Sequence, residues 1–423
     1  MIYDFDEIID RRPTDCAKWN LYDADVIALW VADMDFRSPQ TVIDALRCRV
    51  DHGIFGYGME PPELRPLLQE RLQRLYGWHV DAEALVFVPG VVVGFNLATH
   101  AVIEGKVLGN AKGGDGLLAQ TPVYYPILRV PDNTGCALNS MKLTPPGAGT
   151  AGNGQYQIDL DAFEAAIGPR TRIFVLCNPH NPVGRVFARE ELEAMAEICL
   201  RHDVVICSDE IHCDLVFPGH QHLPIASLDP EIEARTITLM APSKTYNIAG
   251  LHASVAIIPN PELRERFLAA RQGIVPRLDI MGFAAMLAAY QVPERTEAGR
   301  VPERSEAGRV PERSEAGRDD DPWLEQVLRY LEANRDLVFD AVNEIPGLSM
   351  TRPEGTYLAW IDCKEAGLEQ EPHEFFLEKA RVGLNAGAQF GPGGEGYVRL
   401  NFGCPRATLV AALERMRAAL EAR

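Results

Sequence analysis

Thr236-Ile237-Thr238-Leu239-Met240-Ala241-Pro242-Ser243-Lys244-Thr245-Tyr246-Asn247-Ile248-Ala249-Gly250-Leu251 is the stretch that decides how this chain is read. Its first five residues have the length and β-branched content of a buried strand. A lysine follows four residues after the strand ends. Burying an ammonium is costly unless its charge is matched or its pKa falls. A lysine with a lowered pKa is a nucleophilic amine that can form a Schiff base. Lys244 is therefore the first candidate catalytic residue, against the plainer reading of a capping or surface lysine.

Two upstream segments end in the same way. Ile173-Phe174-Val175-Leu176-Cys177 runs into Asn178-Pro179-His180-Asn181-Pro182-Val183-Gly184, and Val204-Val205-Ile206-Cys207 runs into Ser208-Asp209-Glu210-Ile211-His212. An amide (Asn181), a carboxylate (Asp209) and a lysine thus fall at strand C-terminal ends, where open α/β sheets bind ligands. Taken singly, Asn181 reads as a turn residue, Asp209 as a helix N-cap and His212 as a structural histidine.

Around these segments the periodicity alternates. Helices are predicted over 42–50, 63–75, 95–102 and 190–201, and short buried strands over 117–119, 173–177, 204–207, 236–240 and 254–258. That alternation predicts an α/β fold, a mostly parallel sheet covered by helices on both faces. After about residue 319 a long amphipathic helix (322–343), alternating strands (356–361 and 397–402) and a closing helix (405–420) predict a smaller α+β domain. The expected division is an N-terminal arm over 1–40 that joins the small domain, a large domain over 41–290, an insertion over 291–318 and the small domain over 319–423.

The insertion is Val292-Pro293-Glu294-Arg295-Thr296-Glu297-Ala298-Gly299-Arg300 followed by near copies at 301–309 and 310–318. Each copy balances two acids with two bases and offers one valine, so it cannot build a core. It reads as a surface insertion without fold or catalytic role, with a partner-binding loop as the alternative. The glycine-rich stretch 145–154 lacks a following lysine and reads as a plain loop rather than a phosphate loop.

Composition narrows the function classes. The chain carries 41 basic against 60 acidic residues, net −19, which argues against nucleic acid and anionic membrane as partners. No apolar run approaches a membrane span, and the N-terminus lacks the basic-then-apolar pattern of a signal peptide. The nine cysteines are scattered without a Cys-x-x-Cys pair, with Cys177, Cys199 and Cys207 in predicted core elements. They read as reduced thiols in a cytoplasmic protein rather than disulfides or metal ligands. His220-x-His222 has metal-like spacing, but beside Pro218 and Gly219 it reads as an exposed loop, and no third ligand is identifiable. No metal is expected.

As an ordered set, Asn-Pro-x-Asn-Pro-x-Gly, Ser-Asp-Glu and Ser-Lys resemble the fold-type I pyridoxal-phosphate enzymes of the class I/II aminotransferase superfamily, over nearly the whole chain. Ser243-Lys244-Thr245-Tyr246-Asn247-Ile248-Ala249-Gly250-Leu251, with Leu29-Trp30-Val31-Ala32-Asp33-Met34-Asp35-Phe36 and Gly56-Tyr57-Gly58, is most similar to the carbon–sulfur lyase branch, the MalY/PatB-type cystathionine β-lyases. The resemblance implies pyridoxal 5'-phosphate as cofactor. Lys244 would hold its aldehyde, Asp209 its ring nitrogen, and Asn181 and His212 its phenolic oxygen. Tyr124, with Tyr125 as rival, would stack on its ring. Gly90 to Gly94 opens a helix whose first N–H groups favour an anion; the resemblance implies Val91 and Val92 as phosphate donors, Ser243 beside them, and Tyr57 across a homodimer interface. Arg399 alternates inward on its strand, where a guanidinium can grip an α-carboxylate with two parallel bonds. Its rival role is a structural salt bridge. Ala32 matches a position whose backbone N–H meets the same carboxylate.

Two departures are visible: Ala241 and His252 stand where many relatives carry a phosphate-binding serine and arginine. The implied reaction is β-elimination from a cysteine S-conjugate such as cystathionine, giving thiol, pyruvate and ammonia. The alternatives are an aminotransferase using the same residues and a pyridoxal-binding regulator acting through protein contacts.

Overall fold

The computed structural model describes residues 3–103, 115–147, 154–291 and 322–423. The nonapeptide repeats and residues 148–153 of the glycine-rich stretch lie outside the described residues.

Among the described residues, thirteen strands form three sheets. In chain order they are β1 (Ile27–Ala28), β2 (Leu85–Val88), β3 (Gly116–Thr121), β4 (Ala137–Lys142), β5 (Thr171–Cys177), β6 (Val205–Asp209), β7 (Thr236–Met240), β8 (Ser254–Ile257), β9 (Ser349–Met350), β10 (Leu358–Asp362), β11 (Val382–Gly383), β12 (Asn385–Ala386) and β13 (Tyr397–Asn401). The large sheet has the order β2-β8-β7-β6-β5-β3-β4. β4, β3, β5, β6 and β7 run parallel, and β8 is antiparallel to both neighbours. The C-terminal ends of β3, β5, β6 and β7 therefore lie side by side at one edge.

Both faces of this sheet are buried, and the strand sequences show why. Ile173, Val175 and Cys177 of β5 join one core, while Phe174 and Leu176 join the other. Successive side chains of a strand point to opposite faces, so an unbroken apolar run is what a doubly covered strand requires. The helices Val91–Val102 and Pro261–Arg271 cover the first face; Leu160–Ala165 and Arg189–Arg201 cover the second. The helix Val91–Val102 sits close on the sheet: a Cβ at Gly94 would meet the Leu239 side chain at 2.8 Å.

Three elements carry no strong sequence signal. β2 is only four residues long. β4 is an edge strand with most of its side chains in water. The helix Ile280–Tyr290 is apolar around its circumference and packs between the large sheet and the helix Gln40–Asp51, so it shows no amphipathic stripe.

The small sheet, β12-β13-β10-β9, is antiparallel throughout. The helices Pro322–Asn343 and Arg406–Glu421 back one of its faces. The other face meets the large domain. Trp360 of β10 and Arg399 of β13 are register partners, and Trp360 stacks on Tyr397 at 4.9 Å.

A strap from Leu29 to Phe36 runs between the two sheets. The Asn401 N–H donates to the Leu29 carbonyl (2.9 Å), and the Asn401 amide NH2 donates to the Val31 and Asp33 carbonyls (both 2.7 Å). From the large domain, the Asn247 side chain accepts the Met34 N–H (2.9 Å) and donates to the Met34 and Phe36 carbonyls (2.8 and 2.7 Å). The buried Lys18 ammonium sits 2.8 Å from Asp35 behind it.

Candidate active site

The cavity at the C-terminal ends of β3, β5, β6 and β7 gathers Lys244, Asp209, Asn181, His212, Tyr124, Tyr125, Val91, Ala32 and Arg399. Distant sequence segments meet here because parallel strands deliver their ends to one edge, while the small sheet and the strap close the opposite side.

The Asp209 carboxylate is buried at the end of β6. One oxygen accepts the Ile211 N–H at 3.2 Å; the other, Oδ2, is buried with no partner among the described residues. Burial pushes its pKa up to about 7, with the neighbouring Glu210 charge adding and the Ile211 N–H and Lys244 opposing. Lys244 Nζ donates to the Ala32 carbonyl at 2.5 Å. Burial brings the Lys244 pKa down to about 8, with Arg399 in the same direction and Asp33 and Asp209 against it. At neutral pH a part of this amine is unprotonated. His212 is held neutral by burial and by the nearby Lys244 and Arg399 charges; its Nδ1 is also buried without a partner.

Arg399 is buried, yet its contacts are neutral oxygens: Asn181 Oδ1 at 3.0 Å, the Trp30 carbonyl at 3.0 Å and Asn385 Oδ1 at 2.6 Å. Its Nε has no partner, and no carboxylate forms an ion pair with it among the described residues. The structural salt bridge weighed for this residue is thus not what holds it. Asn385, which helps orient it, carries no signal in the sequence, and Trp30, though part of the Leu29–Phe36 segment, gives no sign of this role: tertiary packing brings both to Arg399.

Other residues of the expected site engage different groups or lie outside the cavity. Ala32 lines the cavity, but its carbonyl is the engaged group, accepting from Lys244 and from the buried Tyr357 hydroxyl (2.9 Å). Val91 lines the cavity at the start of its helix, where Gly90 (φ +106°) turns the chain and donates its N–H to Ser254 Oγ. Val92 faces outward, and Ser243 is buried; neither lines the cavity. Tyr57 is fully exposed on this chain, away from the cavity.

His180 ties two walls together. Its ring nitrogens lie 3.1 Å from the Cys177 carbonyl and 2.8 Å from the Pro122 carbonyl, joining the loop of Asn181 to the loop of Tyr124.

One expectation is corrected. His222 is not in an exposed loop: it is fully buried, with Nε2 2.8 Å from Glu210 Oε2. Flanking Pro and Gly gave a loop signal, but the following Leu223 and Ile225 pack into the core and carry the histidine inward. No group of residues able to hold a metal ion occurs among the described residues.

The donor set fits a pyridoxal-type group. A low-pKa amine, a carboxylate with a free buried oxygen, an amide, a neutral imidazole with a free nitrogen and a helix N-terminus converge without satisfying one another. Leaving such atoms unpaired costs about 1–3 kcal/mol each, so the cavity is built for a polar occupant.

Comparison with known proteins agrees. The aminotransferase class I and II family model matches residues 24–416. The chain is 37% identical to cystathionine β-lyase PatB of Bacillus subtilis over 98% of this chain and 99% of that one. Among solved structures, OvoB superposes with a TM-score of 0.86 at 42% identity, each chain wholly covered. Cystalysin from Treponema denticola, solved with pyridoxal 5'-phosphate, superposes at 0.85 with 30% identity, also over the whole of both chains.

Proposed function

We infer from the family to which this chain belongs, the class I and II aminotransferases, that it is a pyridoxal-phosphate-dependent carbon–sulfur lyase acting on a cysteine S-conjugate such as cystathionine. The observation that carries this reading is the meeting of Lys244, Asp209 and the anion-free Arg399 in one cavity. When bound, the cofactor supplies an aldehyde for amines and a pyridine ring that accepts the electron pair left at Cα.

The chain's own groups do the rest. With the cofactor bound, Asp209 would hold the ring-nitrogen proton through its free oxygen, Asn181 and His212 would meet the phenolic oxygen, and Tyr124 would stack on the ring. The N–H groups of Val91 and Val92 would bind the phosphate at a helix N-terminus, with Ser243 and, from a second copy of the chain, Tyr57 as further donors. Arg399 takes the substrate α-carboxylate, together with the Ala32 N–H. This fixes the Cα–H bond toward Lys244, whose amine removes the proton as general base. The electron pair then expels the thiolate from Cβ, and the three-carbon remainder takes up water to give pyruvate and ammonia.

The homodimer is supported by the exposed run Ile54, Phe55, Tyr57 and Met59, which water alone would leave uncovered. A cytoplasmic setting is supported by nine free cysteines. The arm, large domain and small domain divide near residues 40 and 319, and deletion of 292–318 leaves activity intact.

Borohydride reduction of the holoenzyme, followed by peptide mass spectrometry, should place the adduct on Lys244, and Lys244→Ala should abolish it. Cystathionine without a keto acid should yield pyruvate and a new thiol. Amino transfer to an added keto acid with no pyruvate would replace the lyase by an aminotransferase working from the same residues.

A further inference from the structure

Behind Asp209, on the side of β6 away from the cavity, lies a hydrogen-bonded pair, Glu210 and His222, that the reaction does not touch. Alternation along the strand sends Asp209 to one face and Ser208 and Glu210 to the other. Glu210 is inaccessible to water. It accepts Ser208 Oγ at 2.8 Å, His222 Nε2 at 2.8 Å and, at 3.4 Å, the Ile225 N–H. Its own N–H donates to the Leu239 carbonyl at 2.9 Å, which ties the end of β6 to β7. His222 is equally buried, with the Tyr76 ring edge-on at 5.8 Å and its Nδ1 unpartnered.

Stability alone gives little reason for this arrangement. Burying a carboxylate costs free energy that its hydrogen bonds at best return, and apolar residues of the same volume would serve as well. What the pair does accomplish is to keep a carboxylate fixed one residue from Asp209 in a region of low dielectric, where like charges act strongly.

We propose that Glu210, locked by Ser208, His222 and the Ile225 N–H, is a positioning residue for Asp209: its shielded negative charge strengthens the grip of Asp209 on the ring-nitrogen proton of the cofactor. The proposal rests on the role given to Asp209 above. The groups that face Asp209 are Cys177 from β5, Cys207 from its own strand, Glu210 just beyond that strand's end, Tyr124 from the loop after β3, and Lys244 from the segment after β7. Glu210 is faced by Ser208, His222 and Cys213. Only Glu210 is a second carboxylate in this set.

The test reads Asp209 directly in the cofactor-free protein. Infrared difference spectra against Asp209→Asn follow its carboxyl band from pH 4 to 9. Glu210→Gln keeps the shape and removes the charge, so the Asp209 midpoint should fall by about one pH unit. The double variant Glu210→Met with His222→Leu removes both partners and leaves no orphaned charge, which guards against a variant that fails to fold; it should shift the midpoint the same way. His222→Gln retains an N–H donor and should leave the midpoint near the wild-type position. Midpoints unchanged in Glu210→Gln and in the double variant, with both proteins folded, would overturn the proposal. Failure of the borohydride adduct at Lys244 in the wild type would instead overturn the cofactor reading, and the two failures are separable.

Discussion

Arg71 and Arg399 are two sequestered arginines in similar surroundings with opposite consequences. Each lies over an aromatic ring, Arg71 over Tyr290 at 4.8 Å and Arg399 over Phe390 at 4.9 Å. Arg71 has a carboxylate, Asp214, at 2.6 Å, whose second oxygen accepts Thr245 Oγ1 at 3.0 Å, next to Lys244. Arg399 has only amide and carbonyl oxygens. Burial opposes both charges. At Arg71 burial is the largest single influence, yet Asp214 together with Tyr246, Tyr290 and Tyr76 overcomes it and the pKa rises, whereas at Arg399 burial prevails and brings it down to about 10. The difference separates structure from function: one charge is spent inside the fold, the other is kept for a ligand anion.

The strongest way to break this contrast is to remove each arginine. Arg399→Leu should lower kcat/KM by roughly a thousandfold, as expected for loss of a buried charge-paired contact. It should change the stability of the cofactor-free protein little, because removing an unpaired buried charge offsets the acceptors left on Asn181, Asn385 and Trp30. A normal kcat/KM would mean that the carboxylate is held elsewhere. Next in size, Asp214→Ala strands the Arg71 charge and should cost about 3–5 kcal/mol in urea unfolding. A loss under 1 kcal/mol would make the two arginines equivalent.

A smaller and sharper test supplies Arg399 with what it lacks. Asn385→Asp places a carboxylate at the 2.6 Å contact, where it competes with the substrate. KM should rise about tenfold, from the Coulomb energy of a partly screened pair, with kcat little changed. The smallest effect is in pH. Asp209 titrates at about 7 instead of 3.8, so the native state holds the extra proton between these values and stability falls as pH rises through them. Lys244 titrates at about 8 instead of 10.5, so the unfolded state holds the extra proton there and stability rises with pH over that window. Thermal melts of the cofactor-free protein should show the site's contribution lowest between pH 7 and 8. Asp209→Asn should flatten the acid arm and Lys244→Met the alkaline arm, each by a few degrees; unaltered arms would assign the dependence to other groups.

What the sequence disclosed, and what it withheld, follows from range. Lys244, Asp209 and Asn181 could be read because each follows a run whose apolar character is local and continuous. Arg399 could be read because strand alternation turned it inward. Asn385, Trp30 and Tyr357 could not, since nothing within a few residues of them signals that a guanidinium or a strap carbonyl will arrive from 14 to 369 residues away. His222 misled for the converse reason: its neighbours Pro218 and Gly219 are strong local punctuation, and the carboxylate that draws it inside belongs to another segment. The strands β2 and β4 escaped because edge position and short length weaken the apolar pattern.

The strap clipped at Asn401 and at Asn247 has a mechanical corollary. Its two fastenings belong to different domains: Asn401 of the small sheet holds Leu29, Val31 and Asp33, Asn247 of the large domain holds Met34 and Phe36, and the two meet at the Asp33–Met34 peptide. If the cleft widens to admit a molecule, that single link must take up the displacement, and Ala32 travels with the small sheet. Entry of the substrate and alignment of the backbone that receives it are then one movement, with the give of one peptide link setting how far the door can swing.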